Sequence, residues 1–183
     1  MVLRQLLWLS LLWLAGCATQ STVQDVRADL TFKELDIGRG RSVFLEVVDN
    51  VDASLSERGL VDERFVLALE LKRDVRAALY NFGFATAHSA EEADLQLTVN
   101  ADELLFVVGD DPVLTPLLLR NTVRFVLQKN LVLHTFTYST QRTHKLGLAP
   151  SADTSRELIS QILTDTLQRA VGDTAFIAEL SAP

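Results

Sequence analysis

Apolar and polar side chains alternate along two segments in the first half of the chain. In residues 41–49, Val43, Leu45 and Val47 fall on one side of an extended backbone, and a second alternating segment begins at Leu95. Successive side chains of a strand point to opposite faces. The pattern therefore predicts two strands, each with one face in a core and the other in water.

The alternation breaks at residues 104–108, which are all apolar. Side chains of five consecutive residues cannot all lie on one face of a regular strand. A β-bulge within residues 101–103 would place Leu104 and Phe106 on the core face, whereas a regular strand would place Leu105 there. Either arrangement leaves some large apolar side chains on the opposite face.

A helical period of apolar residues follows the first predicted strand. It covers residues 62–82 and is followed by Gly83, a residue type that commonly ends a helix in the left-handed conformation. Residues 84–87 then predict a short strand. The segment is a helix joined to a strand by a tight turn.

A second helical period occupies residues 150–174. Asp153 or Ser155 can cap its start, and Gly172 can end it. Asp173 can then cap a short terminal helix. The C-terminal part of the chain is therefore predicted to be helical.

Between these helices, residues 117–145 predict a long β-hairpin. With Lys129 and Asn130 as a two-residue loop, Leu127 would pair with Val132. This register places the apolar side chains on one face and Thr, Gln and Arg side chains on the other. The combined elements predict an α+β fold: a single two-layer domain with a mostly antiparallel sheet and two main helices packed on one face.

Residues 1–16 have the order of a secretory signal, with one positive charge, an apolar run and then small residues. The run is too short to cross a bilayer, which takes about 20 apolar residues. Leu14, Ala15 and Gly16 precede Cys17, and these four residues resemble the bacterial lipobox.

The lipobox implies that the Cys17 thiol carries a diacylglyceryl group, that the signal is cut before it, and that the freed amine is acylated, for example with palmitate. Two or more acyl chains make a stable anchor, at about 0.8 kcal/mol per buried methylene. Ala18 follows, where an aspartate would favour the inner membrane, so the sequence favours the outer membrane. We expect a signal peptide at 1–16, a lipidated cysteine with a flexible tether at 17–38, and a periplasmic domain at 39–183.

Charge and cysteine content limit the possible partners. The chain has 17 basic and 24 acidic side chains, a formal net charge of −7. Nucleic acid and anionic lipid should repel such a domain, because phosphate binding relies on clustered Lys and Arg, and a nucleic-acid role is excluded. The single cysteine is used for lipid, so no thiol remains for a disulfide, a metal or catalysis. The length suits one domain.

No spacing of residues indicates an active site or a metal site. His88, His134 and His144 are far apart and lack the spacings of metal ligands. Asp102 and Glu103 are adjacent, but neighbours in a strand point to opposite faces. The sequence therefore predicts a protein without enzymatic activity, metal or cofactor, apart from its covalent acyl lipid.

The segment most suggestive of binding is 104–119, which is rich in apolar residues and contains two prolines. It forms either core strands joined by a tucked loop, or an exposed apolar rim. In the second case Leu114, Leu117 and Leu118 would contact an envelope protein, a second copy of the chain or a lipid-like ligand.

The chain also resembles a known family. The lipobox, "ALYNFGF" at 78–84, "ADLQLTV" at 93–99 and, above all, "ILTDTLQRAVGDTAFIAEL" at 162–180 resemble the YajG-type lipoproteins of the Gram-negative cell envelope. The resemblance implies an envelope location and no established enzymatic activity. We expect a non-enzymatic interaction domain anchored to the outer membrane and facing the periplasm. The alternative is a small-ligand or lipid-binding lipoprotein with a cleft between helices and sheet.

Overall fold

The structure is a computed structural model that describes residues 26–31, 35–51, 67–109 and 114–183. Four features predicted from the sequence lie outside these ranges: the signal peptide, the lipobox with Cys17, the first turn of the helix predicted at 62–82, and the connection at 110–113.

The described residues form one five-stranded sheet in the order β2-β1-β3-β4-β5. Strand β1 is parallel to both of its neighbours, and β3, β4 and β5 are successively antiparallel. The strands are β1 (Ser42–Asp49), β2 (Ala85–Thr86), β3 (Leu95–Val108), β4 (Thr115–Lys129) and β5 (Val132–Leu146).

Three helices cover one face of this sheet and leave the other face, here called the open face, without a helix of the described chain. They are α1 (Leu67–Asn81), α2 (Ala152–Gly172) and α3 (Thr174–Ser181). Helix α1 packs on β1, and α2 packs on β4 and β5. The predicted α+β class, with a mostly antiparallel sheet and helices on one face, is confirmed.

The helix ends follow local chemistry. Gly83 adopts the left-handed conformation after α1, with a φ of 81°, and Asp173 caps α3 by accepting a hydrogen bond from the Ala175 amide, both as predicted. The predicted cap of α2 is wrong. Ser151 caps it by accepting from the Thr154 amide, because Ser155 is already inside the helix and fully buried.

A β-bulge in β3 explains the five consecutive apolar residues. Ala101 pairs with Val123 and Glu103 with Thr122, so Asp102 is an extra residue in the strand. After the extra residue, the inward-facing positions of β3 shift by one residue, so Leu104 and Phe106 are buried. It also places the carboxylates of Asp102 and Glu103 on the same side, the open face, which corrects the expectation that they point to opposite faces.

The hairpin loop lies one residue later than predicted. Asn130 and Leu131 join the strands, so Lys129 pairs with Val132. Asn130 has a φ of 53°, and asparagine tolerates this left-handed conformation better than most residues. Each residue of β4 therefore pairs with a β5 residue two positions later than predicted. Because the shift is an even number of residues, each side chain still faces the side of the sheet that the pattern predicted.

Helix α3 is held by aromatic contacts and by a polar one. The Phe176 ring packs against the rings of Phe125, Phe136 and Tyr138, with centroids 5.2 to 6.4 Å away. The Tyr138 hydroxyl donates to the capping carboxylate of Asp173 at 2.8 Å. This hydrogen bond favours the ionised carboxylate and lowers the pKa of Asp173, while burial raises the pKa of Tyr138.

The residues before β1 form a close backbone contact with the turn after α1. The Gly38 amide donates to the Phe82 carbonyl at 2.7 Å, and the Gly40 amide donates to the Gly83 carbonyl at 2.9 Å. A Cβ atom on Gly38 would lie 2.5 Å from the Gly83 carbonyl carbon. Only glycine fits at this crossing.

We predict that Gly38→Ala lowers the free energy of unfolding by about 1–3 kcal/mol, the usual cost of forcing extra atoms into a packed site. Gly172→Ala is the matched control, because a Cβ atom there meets nothing within 4 Å and alanine favours helix. The control should be neutral or stabilising in urea denaturation. Equal effects of the two substitutions would contradict the contact.

Candidate functional site

The described N-terminal segment, residues 26–31, lies along α2 in an extended conformation. Ser160 hydrogen-bonds both the amide and the carbonyl of Arg27, at 2.8 and 3.0 Å. Thr164 accepts from the Asp29 amide at 2.9 Å. The Gln168 side chain bonds both backbone groups of residue 31, at 2.9 and 3.0 Å.

These contacts repeat because four residues of α2 advance about as far as two residues of the extended segment. Ser160, Thr164 and Gln168 are spaced four residues apart on a helix, which rises about 6 Å over that interval. Two residues of extended chain advance by about 6.6 Å. One polar side chain per helical turn therefore meets every second residue of the segment, in the manner of a neighbouring strand.

Helix α1 binds the opposite edge of the segment. Asp74, which is buried, accepts from the Ala28 amide at 3.0 Å, and Arg73 donates to the Val26 carbonyl at 3.1 Å. Val26 and Ala28 are buried against the two helices. The segment thus occupies the groove between α1 and α2.

Residues 26–31 fall within the range assigned from sequence to the flexible tether, 17–38. The structure attaches them to the helices on both sides of the groove. The boundaries at 16/17 and 38/39 stay predictions. The contacts fix the position of Val26 on the helices, and the chain N-terminal to Val26 extends from there.

The space between helices and sheet is filled. The cavity there measures about 20 Å³ and is lined by apolar side chains, among them Leu79, Leu97, Phe125 and Leu167. This volume accommodates about one water molecule, whereas small-molecule sites measure about 300–1,000 Å³. This cavity therefore does not provide the cleft expected for a ligand-binding lipoprotein.

The three leucines predicted as partner contacts have different positions. Leu114 is exposed, and Leu118 is half-buried on the open face. Leu117 is 0 % exposed, because it lies on the helix-facing side of β4. Its side chain offers nothing to a partner, and a substitution there would disrupt the core.

A larger apolar surface lies at the tip of the β4–β5 hairpin. Leu131 is 97 % exposed, and its neighbours Val132 and Leu133 are also exposed. We call these three residues the hairpin tip. Sequence analysis missed the tip because it placed the loop one residue too early, which assigned Leu131 to the strand; three apolar residues beside a tight turn were the available signal.

The acidic pair at the bulge is neutralised on the open face. Arg124 donates two hydrogen bonds to Asp102, at 2.8 and 3.0 Å, and Arg120 donates to Glu103 at 2.6 Å. The bond from Arg124 lowers the pKa of Asp102. Each carboxylate thus has its own arginine, an arrangement suited to holding the two strands together.

The histidines do not gather into a site. His134 lies 3.6 Å from Glu179, His144 pairs across the hairpin with Leu117, and His88 is exposed in the connection before β3. In the described part of the chain, no three His, Cys, Asp or Glu residues are grouped as metal ligands would be. Nor does any described helix have the length and apolar character needed to cross a membrane.

Comparison with known proteins shows the fold. No protein-family model matches the chain, and no curated protein matches it. A putative neuraminyllactose-binding hemagglutinin homolog from Helicobacter pylori is similar in structure, with a TM-score of 0.55 and 9% identity over 86% of this chain and 95% of that one. A Xanthomonas campestris protein of the DUF330 family has a TM-score of 0.52 and 11% identity over 85% and 94%.

A minor lipoprotein from Acinetobacter baumannii is a more distant match, with a TM-score of 0.38 and 16% identity over 77% of this chain and 90% of that one. At 9% and 11% identity, the likeness to the first two proteins shows the fold alone.

We predict that Asp74→Ala releases the segment from α1. The buried Ala28 amide would lose its acceptor, and an unsatisfied buried donor costs about 1–3 kcal/mol. Hydrogen exchange of the amides in 26–31 should become faster. Asp29→Ala is the matched control, because it removes an exposed carboxylate from the same segment. Unchanged exchange at Ala28 in the Asp74 variant would contradict the role of this carboxylate.

Proposed function

We propose that this chain is an outer-membrane lipoprotein, anchored through acyl chains on Cys17, whose domain faces the periplasm and acts as a non-enzymatic interaction module. The anchor rests on the lipobox at Leu14, Ala15, Gly16 and Cys17. The YajG-type resemblance and the outer-membrane location are parts of this proposal.

The hairpin tip is the observation that carries the interaction role. An exposed apolar cluster is unfavourable on an isolated domain and often marks a protein contact. The tip stands at the end of two 15-residue strands that hold it in a fixed position, so little entropy is lost when it binds. The partner is an envelope protein or a second copy of the chain.

Two further observations favour this role over the others. The 20 Å³ cavity between helices and sheet is too small for a ligand, so the ligand-binding alternative has no support there. On the open face, the Asp102 and Glu103 carboxylates are each paired with an arginine. They are therefore poorly suited to act as a general acid and base.

The anchor is tested by labelling with palmitate. The unaltered chain should incorporate the label and fractionate with the outer membrane, and Cys17→Ser should incorporate none. Ala18→Asp should keep the label but move the protein to the inner membrane. Labelling of the Cys17 variant would refute the anchor, whereas labelled protein that ignores Ala18→Asp would refute the sorting signal alone.

The interaction role is tested by placing a photo-crosslinking amino acid at Leu131. Leu148 is the matched control, because it is the same residue type, 83 % exposed, and lies at the other end of β5. We expect discrete crosslinked products in whole cells from position 131 and not from position 148. The products should disappear when Val132→Asp is added. Equal products from both positions would show random collision rather than a specific contact.

A further inference from the structure

The outward side of α1 carries four residues spaced three, four and four apart, which places them on one face of the helix. We call Leu69, Lys72, Arg76 and Tyr80 the α1 stripe. Leu69 is 63 % exposed and Tyr80 is 78 % exposed. The four residues line a shallow surface depression of about 500 Å³. The stripe therefore combines the two positive charges of Lys72 and Arg76 with the large, solvent-exposed side chains of Leu69 and Tyr80.

The positive charges of the stripe are available to a partner. Neither Lys72 nor Arg76 forms an ion pair within the described chain. The adjacent Arg73 differs, because it pairs with Glu70 and Asp74. The chain as a whole has a formal net charge of −7, but the α1 stripe is a local basic surface. The repulsion expected between the whole domain and anionic lipid therefore does not apply to the surface of α1.

The stripe also lies beside the point where the N-terminal chain leaves the domain. Arg73 holds the Val26 carbonyl, and Ala77 lines both the stripe's depression and the cleft beside residues 27–30. Nine peptide units separate Cys17 from Val26, which is at most about 30 Å of extended chain. A lipid on Cys17 would therefore keep Val26 within about that distance of the bilayer, with α1 directly beside it.

We propose that the α1 stripe rests on a phospholipid surface containing anionic headgroups. This inference depends on the lipid anchor of the proposed function. Lys72 and Arg76 contact the phosphates, while Leu69 and Tyr80 enter the headgroup region, where the amphipathic tyrosine ring is well suited. Two cations and two apolar side chains bind weakly alone, but the tether supplies the high local concentration that makes a weak contact persist.

The arrangement orients the domain. With the helix layer toward the membrane, the open face of the sheet points away from it, toward the periplasm. The anchor would then limit both the distance of the domain from the membrane and its rotation.

Tryptophan fluorescence can test this contact without a background signal from native tryptophans. The two tryptophans of the chain, Trp8 and Trp13, both precede Cys17, so the processed protein has none. Tyr80→Trp introduces one indole in the stripe, and Thr137→Trp introduces one on the open face as the matched control. Each lipidated full chain is purified after processing and reconstituted into vesicles of phosphatidylethanolamine and phosphatidylglycerol with brominated acyl chains.

We expect both proteins to float with the vesicles. Emission from the Tyr80→Trp protein should shift to shorter wavelength and be strongly quenched by the brominated lipid, whereas the Thr137→Trp protein should show neither change. Adding Lys72→Glu and Arg76→Glu to the Tyr80→Trp protein should abolish the quenching without affecting flotation. Thermal unfolding monitored by circular dichroism confirms that each variant is folded.

The other outcomes overturn the proposal in different ways. A chain that floats with equal quenching at both positions, or none at either, removes the stripe contact and leaves the anchor intact. Equal quenching on phosphatidylcholine vesicles overturns the assignment to anionic headgroups. Protection from a water-soluble quencher without quenching by brominated lipid assigns the stripe to a second copy. A chain that does not float overturns the anchor and the stripe together.

Discussion

One extra residue in β3 determines which of its apolar side chains enter the core. In a regular strand, Leu105 and Val107 would follow Val99 on the helix-facing side, and Leu104 and Phe106 would lie on the open face. Helices cover only one face in the described fold, so the large Phe106 ring would then be left in water. With the bulge, Val99, Leu104 and Phe106 all face the helices, and α1, α2 and α3 can bury them in one core.

The sequence predicts those parts of the fold that depend on local pattern. Val43 and Leu45 alternate, Gly83 follows a helical period, and Asp173 precedes a short helix; each leads to the observed element. The bulge was one of two alternatives, since the pattern at 101–108 shows that a phase change is needed but does not show where the backbone makes it. The hairpin register was missed because it depends on the φ of Asn130.

The groove could not be predicted in the same way. Residues 18–30 as a whole are polar and lack sustained periodicity, as a linker does, and the alternation of apolar and polar residues in 26–31 is too short to identify a partner. Their order comes from distant parts of the chain, including Ser160 and Gln168 more than 130 residues away. Leu117 and Leu118 illustrate the same limit: they are adjacent and identical in type, and only the pairing of β4 determines which is buried. The open-face position of Asp102 likewise follows from the bulge, which periodicity alone left open.

The contacts of Arg41 bear on how the chain reaches its final state. Arg41 lies immediately before β1. Its guanidinium donates at 2.6 Å to the carbonyls of Leu180 and Ala182, about 140 residues later, and lies 5.4 Å from the centroid of the Phe84 ring. Contacts across such separations form slowly, because a long loop must close before they can stabilise anything. The contacts that Arg41 makes beside the start of β1 therefore form only after residue 182 has been synthesised. Under the proposed export, late formation of these contacts would help to keep the chain unfolded while it crosses a membrane.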